Sequence, residues 1–345
     1  MHLIHATNVN DALPKGLRLL ASLGREQDSR VGRVRVLPVP CTTVYAQPQE
    51  RVLFWPARDA NPFFHLFEAL WILGGRNDIA FPQRFNKRFS AYSDDGITQH
   101  AAYGKRWRSW FGTDQLEKAV QLLAANPDDR RVVIQMWDVE DLGHGGVDVP
   151  CNTHIYLRVL DDVLDLTICC RSNDIIWGAY GANAVHFSVL QEYLAARLGL
   201  GIGTLYQISN NFHAYLNVYT PLYEELKRMW PINPLNEYAV GSNIKPFPLF
   251  ADDADVRDWH QDLSLFLDSP HAYGWNTVFF SQVVQPLFGA WACYEQIKDP
   301  ERFFKAAECV ARCAAVDWKI AAASWLSRRE ERTKTKEQLQ RSILT

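Results

Sequence analysis

The chain has no C-x-x-C pair, and its seven cysteines (Cys41, Cys151, Cys169, Cys170, Cys293, Cys309 and Cys313) show no metal-ligand spacing. No metal is therefore expected. An odd, unpatterned set fits a reduced, cytoplasmic chain better than a disulfide framework. Cys309 and Cys313 are one helical turn apart and read as core. Basic charge is not in excess: 36 Lys and Arg against 39 Asp and Glu leave a formal charge of −3. No global field then recruits nucleic acid or an anionic membrane, and any phosphate must be held by a local cluster. No apolar run reaches the ~18 residues a membrane helix needs. The opening Met1-His2-Leu3-Ile4-His5 lacks a basic segment followed by an apolar one, so no signal peptide is expected. Internal repeats and low-complexity blocks are absent too.

What is present is an ordinary globular composition, 48% apolar and 22% charged over 345 residues, enough for one large domain or two. Twelve tryptophans are many, and they imply either flat aromatic surfaces or a Trp-rich core. Read for period and punctuation, residues 10–24 predict a helix ending at Gly24, and 33–55 predict two or three strands. A helix starts at Asn61-Pro62 and runs to Gly74-Gly75. Residues 76–112 are irregular, aromatic and basic, and a short helix follows at 114–125. Val132 to Trp137 reads as a strand, and Asp138 to Val149 as a Gly-rich loop. Later come a helix from Val185 to Leu198, a strand from Thr204 to Ile208 and a helix from His213 to Trp230. A Pro-rich connector at 231–249 gives way to helical patterns at 254–267, 277–296, 302–326 and 328–341. The expected fold is mixed α/β, a large twisted sheet flanked by helices. The expected boundary lies near 245, separating a domain at 1–245 from a helical extension at 246–345.

The chemistry gathers between Pro150 and Asn183. Ile155–Leu160 and Val163–Cys169 alternate as a strand pair around the turn Asp161-Asp162. A thiol, Cys151, precedes the first strand, and Arg171, Ser172 and Asp174 follow the second. Paired strands bring both ends to one side of a sheet, which sets a nucleophile beside an anion-binding cluster. Taken singly, each residue has a plainer reading. A lone cysteine is usually a small buried hydrophobe, although nearby arginines would lower its pKa. Arg30, Arg130 and Arg131 are surface charges unless they gather with Arg171 around a dianionic phosphate. Glu68 interrupts the apolar run Phe67 to Leu73. It faces solvent, or it is buried with a raised pKa and ready to move protons. Asn183 serves as a helix cap, and His213 and Tyr215 as a pair at a helix start.

Several segments match one family pattern, each in the family's order: Pro150-Cys151, Arg171-Ser172-x-Asp174, Asp129-Arg130-Arg131 before a Trp-containing strand, Glu68 before Leu70-Trp71, Tyr103-Gly104-Lys105-x-Trp107-Arg108, and Arg30-x-Gly32. Over roughly residues 15 to 220 the chain resembles the thymidylate synthase and deoxycytidylate (deoxyuridylate) hydroxymethylase family. The resemblance implies a thymidylate-synthase-like fold and a homodimer with two sheets packed back to back. It implies that Cys151 adds to C6 of a pyrimidine deoxynucleotide, after which C5 takes the one-carbon unit of 5,10-methylenetetrahydrofolate. Arg30, Arg171 and Ser172 would hold the 5′-phosphate, and Arg130 and Arg131 would reach it across the dimer interface. By the same resemblance Glu68 organises water and proton transfers, and Tyr103 lies near the proton removed from C5. His213 and Tyr215 contact the ribose 3′-hydroxyl, and Asp174 lies on the folate side. Asn183 reads the base; an amide there suits uracil, a carboxylate cytosine, and a slip of one residue would put Ala182 in its place.

Departures from the family pattern bear on the product. Asn152 follows the nucleophile where synthases usually carry His. Phe89-Ser90-Ala91-Tyr92 stands where a Trp is expected over the one-carbon unit, and Gly181-Ala182 replaces Pro-Phe before Asn183. The short apolar C-terminal tail is replaced by the helical extension. A methyl product needs water excluded, and a wetter site gives hydroxymethyl. The departures favour folate-dependent hydroxymethylation, of dUMP first and dCMP next. An ordinary synthase and a decayed nucleotide-binding protein are the competing readings. A Cys hydrolase lacks a histidine placed as its base. The resemblance also admits a bacteriophage origin.

Overall fold

The computed structural model describes residues 1–229, 236–239, 242–250 and 256–344, without the side chains of 337 and 339–344. By its internal contacts the chain divides into two compact units, one formed by Met1–Arg51 and Phe64–Asn236, the other by Val52–Phe63 and Glu237–Thr345.

The first unit is built on a six-stranded mixed sheet of order β1-β4-β9-β7-β6-β5. Its strands are β1 (His2–Ala6), β4 (Cys41–Tyr45), β5 (Val133–Gln135), β6 (Asn152–Leu160), β7 (Val163–Cys170) and β9 (Gly201–Ser209). β6 and β7 form the expected antiparallel hairpin, with Leu160 opposite Val163. Asp161 and Asp162 both take left-handed backbone at φ 50° and 57°, the geometry of a two-residue turn that matches strand twist. Leu164, Leu166, Ile168 and Cys170 alternate inward along β7 and are all buried. β7 and β9 run parallel, so a crossover must join them. α6 (Asn183–Leu198) supplies it and packs on both strands. On the other face Val133, Tyr156 and Leu160 stand exposed.

A second sheet, of order β2-β3-β10-β8, contains β2 (Arg25–Ser29), β3 (Gly32–Val36), β8 (Asn173–Asp174) and β10 (Phe212–Tyr215). α1 (Val9–Leu23) is capped by Asn8, whose side chain accepts from the backbone of Asn10 and Asp11. α2 (Pro62–Leu73), α5 (Gln115–Ala125) and α7 (Leu216–Met229) follow the helical patterns closely. The irregular stretch contains short helical turns, α3 (Ala80–Gln83) and α4 (Tyr103–Lys105) among them. It is anchored by Arg106, which is fully buried and grips Asp141 with both guanidinium arms at 2.7 and 2.9 Å.

The second unit holds α8 (Val256–Asp268), α9 (Gln285–Gln296), α10 (Glu301–Ala311) and α11 (Val316–Leu344). Its core is aromatic: Phe63, Trp291 and Trp325 form one cluster, and Trp259, Phe266 and Phe280 another. Across the chain most of the described tryptophans are buried, so their abundance serves the core. Asp262 is fully buried, and its two oxygens accept from the backbone and side chains of Asn276 and Thr277, the compensation a buried carboxylate requires.

Several sequence expectations need correction. His213 and Tyr215 do not begin a helix. They lie on β10, which pairs with β3 and β8, and α7 starts only at Leu216. Tertiary pairing overrides the helical period there. The expected break at 327 is absent. α11 runs through it, and the break falls at 312–315, where the Ala314 N–H donates to the Gln282 carbonyl. The strand predicted at Val132–Trp137 is only three residues long, and 46–55 carries none. β2 was not anticipated because Arg-Glu-Gln-Asp-Ser is polar on both faces. Parts of the connector at 231–249 and the first residues of the 254–267 helix lie outside the described residues.

Candidate active site

Cys151 closes the loop that follows β5. Its carbonyl accepts from the Arg171 N–H at 2.9 Å, which clamps the loop to the end of β7. The register shifts between Asn152 and His154, a bulge of the kind that re-aims a side chain at a strand end. The buried Asn152 holds this bulge by donating from Nδ2 to the carbonyls of Cys169 and His154.

Two cavities in the first unit meet at Cys151. The smaller, about 280 Å³, is lined by Glu68, Trp71, Tyr103, Asp148, Asn183 and His186 besides the thiol. The larger, about 1120 Å³, is lined by Arg30, Arg33, Arg88, Arg171, Ser172, Asp174, Trp177, His213 and Tyr215. Apart from Arg130 and Arg131, every candidate residue named from sequence therefore lines one or both cavities. Those two arginines stand exposed ahead of β5, and Arg131 is bidentate to Asp129.

Glu68 is buried and does not face solvent. Its Oε2 lies 2.9 Å from His186 Nε2. With Glu68 ionised the imidazole donates from Nε2, which leaves Nδ1 a buried acceptor without a partner among the described residues. Tyr103 is brought beside α2 because Gly104 touches its backbone. A Cβ on Gly104 would sit 1.8 Å from the Ile72 carbonyl oxygen. The Tyr103 ring stacks on Phe187 of α6 at 5.9 Å. Asn183 is the first residue of α6 and does not cap it. Its Nδ2 donates to Asn173 Oδ1 at 3.2 Å, and Asn173 in turn donates to Ser209 Oγ at 3.1 Å. Gly178 leaves room for this relay, since a Cβ there would lie 2.8 Å from Asn173 Oδ1. Among the described residues Asn183 keeps its Oδ1 and one N–H for a ligand, an acceptor and a donor on one amide.

The larger cavity is a basic cleft. Arg171 donates to the carbonyls of Pro150 and Val149 at 2.9 and 3.0 Å and lies over the Trp137 ring. Arg30 reaches the carbonyls of Gly146 and Val147. Both guanidiniums are thus fixed to the backbone that carries Cys151, with further N–H groups left for an anion. Asp174 caps the turn after β8 by accepting from Ile176 and Trp177.

Electrostatics reverse one expectation. Burial pushes the Cys151 thiol up, Arg171 opposes this, and Asp148 and Asp174 reinforce it. The expected lowering by arginines does not prevail, because desolvation of a thiolate outweighs one neighbouring cation. Burial also raises Tyr103 far above the ordinary phenol range and raises Tyr215. Asp148 is pushed up to about 6, by burial first and by Asp94.

Sequence reasoning missed Asp148, His186, Tyr92, Arg33 and Arg88. His186 was signalled by its place three residues after Asn183 on one helix face. Asp148 was signalled only as an acid three residues before the thiol. Tyr92 belongs to the segment marked as unusual, and it lines both cavities.

The thymidylate synthase family model matches residues 58–263. The deoxyuridylate hydroxymethyltransferase of Pseudomonas phage M6 is 47% identical over 335 residues, covering 95% of each chain. The protein of that name from Bacillus phage SP01 is 34% identical over 207 residues, 56% of this chain and 54% of the other. That of Delftia phage PhiW-14 is 28% identical over 304 residues, 83% of each. Among solved structures, the thymidylate synthase from T4 phage aligns with a TM-score of 0.52 at 22% identity, covering 62% of this chain and 80% of that one. With more than half its length matched by one family model and a near-full-length relative at that identity, the chain belongs to the thymidylate synthase family.

Proposed function

We propose that the unit formed by Met1–Arg51 and Phe64–Asn236 is a catalytic domain that hydroxymethylates C5 of dUMP, with 5,10-methylenetetrahydrofolate as co-substrate. The observation that carries this reading is the position of Cys151, at the junction of an arginine-lined cleft and a small cavity furnished with an acid, an amide and a phenol. The names of the phage relatives support it.

The 5′-phosphate lies against Arg30, Arg171 and Ser172, the ribose against His213 and Tyr215, and the base enters the small cavity. Asn183 offers uracil an N–H for O4 and an oxygen for N3–H. The Cys151 sulfur adds to C6, and the developing charge on C5 makes it a carbon nucleophile. The co-substrate supplies a one-carbon unit for C5. The residues present suit its heterocycle: Asp174 can pair with an amino-pyrimidinone edge, and the half-exposed ring of Trp177 offers a stacking face beside it. Glu68, paired with His186, moves protons about the base, and Tyr103 stands where the C5 proton leaves.

The small cavity favours hydroxymethyl over methyl. Asp148 and His186, which line it, each carry a buried polar atom, Oδ2 and Nδ1, without a hydrogen-bond partner among the described residues, and orphaned polar atoms beside a cavity invite water. The test is direct. The protein, given the co-substrate and equal dUMP and dCMP, should convert dUMP to a product heavier by one hydroxymethyl group, with no dihydrofolate formed. A methyl product with stoichiometric dihydrofolate would replace this reading by a synthase. No product from either nucleotide, with dUMP still bound, would replace it by a binding protein.

Two copies of the chain pair through the open face of the six-stranded sheet, where Val133, Tyr156 and Leu160 are exposed. Arg130 and Arg131 then complete the partner's phosphate site. Mixed after co-refolding, inactive Cys151→Ala and inactive Arg130→Ala chains should regain activity near one quarter of native, since one intact site forms per heterodimer. No regain on mixing would place these arginines outside the partner's site.

A further inference from the structure

We propose that the Asp148 carboxylate is the general base for the water that attacks the exocyclic carbon on C5. The inference rests on the hydroxymethylation reading and assigns a residue to its last step.

Asp148 lies three residues before Cys151, is 5% exposed, and lines the small cavity with the thiol, Glu68, Tyr103 and His186. The backbone of His100 and Ala101 faces its carboxyl, while Oδ2 has no hydrogen-bond partner among the described residues. A buried carboxylate oxygen left unsatisfied beside a reacting centre is costly, and it is compensated once it accepts from a water or ligand. Glu68, on the same cavity, is paired with His186 through Oε2 and is the group assigned to the earlier proton transfers about the base. The Asp148 loop is held in place: Asp94 accepts from the Val147 N–H at 2.7 Å and from His144, whose ring stacks on His100 at 4.2 Å.

The step balances without a redox partner. Once the folate nitrogen has left, C5 carries an exocyclic methylene. The water oxygen bonds to that methylene carbon while one water proton passes to Asp148. The electron pair of the exocyclic double bond moves into the ring as the C4 enolate. Its return breaks the C6–S bond and restores the C5–C6 double bond, and the proton on Asp148 goes to the departing Cys151 sulfur.

The groups that set the charge on Asp148 are Asp94, His100 and Cys151 around it, with Glu68, Tyr103 and His186 across the cavity. Burial and Asp94 hold its pKa at about 6. A base must be ionised to act, so product formation should be present above that value and lost as pH falls through it.

The full chain carrying Asp148→Asn separates the two halves of the reaction. Tritium release from C5-labelled dUMP in the presence of the co-substrate should stay within a few-fold of native. Hydroxymethyl product should fall by about 100-fold or more and lose its acid limb, and added 2-mercaptoethanol should be captured on the exocyclic carbon. In Asp148→Ala, formate should restore part of the product. Native-rate product from Asp148→Asn would overturn the inference. So would a parallel loss of tritium release and product together with no response of Asp148→Ala to formate, the pattern of a residue that only shapes the loop. If native protein makes no hydroxymethyl product from dUMP, the parent reading falls, and this one with it.

Discussion

Cys151→Ala should abolish tritium release from C5 of dUMP, by at least about 10⁴-fold, while dUMP affinity stays within a few-fold of native. The separation is expected because the groups proposed to bind the nucleotide do not depend on the sulfur. Arg171 is fixed through the carbonyls of Val149 and Pro150, and its own N–H bonds the backbone carbonyl at 151, which alanine retains. Asn183 is positioned through Asn173 and Ser209. The substitution removes one buried sulfur and leaves the bulge at Asn152 intact. Retained tritium release would remove Cys151 from its role. Binding lost together with exchange would mean that the loop, rather than the thiol, carries the effect. Because burial raises the Cys151 pKa, alkylation of the unliganded protein should be slow at neutral pH and should accelerate as pH rises.

Asn183→Asp should move the dUMP-to-dCMP ratio of kcat/KM toward dCMP by about 10² or more, because a buried polar group that loses its partner is rejected strongly. The carboxylate offers acceptors only, which suits the amino group of cytosine and leaves uracil O4 facing an anion. The neighbours can accommodate the change. Asn173 now accepts from Asn183 and donates to Ser209; turned over, its amide would donate to the new carboxylate, and the Ser209 hydroxyl would donate to it in return. Gly178 keeps the space open for that turn. An unchanged ratio in the variant would place base selection elsewhere, with Ala182 as the neighbouring position in the cavity lining.

Much of the candidate site was legible because its residues are chemically conspicuous. A glutamate inside Phe67 to Leu73, an arginine and a serine at a strand end, and a thiol after a Gly-rich loop each break a local pattern. The hairpin of β6 and β7 followed from strict alternation around Asp161-Asp162. Segments without alternation were not legible. β2 is polar throughout and becomes a strand only by pairing with β3. β10 lies in a stretch of helical period and is a strand because β3 and β8 flank it. The segment 52–63, read as the end of a strand region and the start of a helix, gave no sign that it packs with residues beyond 236, because a local period carries no record of long-range contacts.

The sequence by itself determined which chemistry the chain can carry and the order in which the parts occur. Those are matters of side-chain type and local period, and both are written in the residues. The tertiary structure decided which groups meet. It set Cys151 where two cavities join, paired Glu68 with His186 across 118 positions, and left Arg130 and Arg131 away from the cleft. It also decided the protonation tendencies. The Cys151 thiol is raised despite Arg171, and the Asp148 carboxyl despite its polar loop. Desolvation depends on what the fold stacks around a group, and no neighbour in sequence reports it.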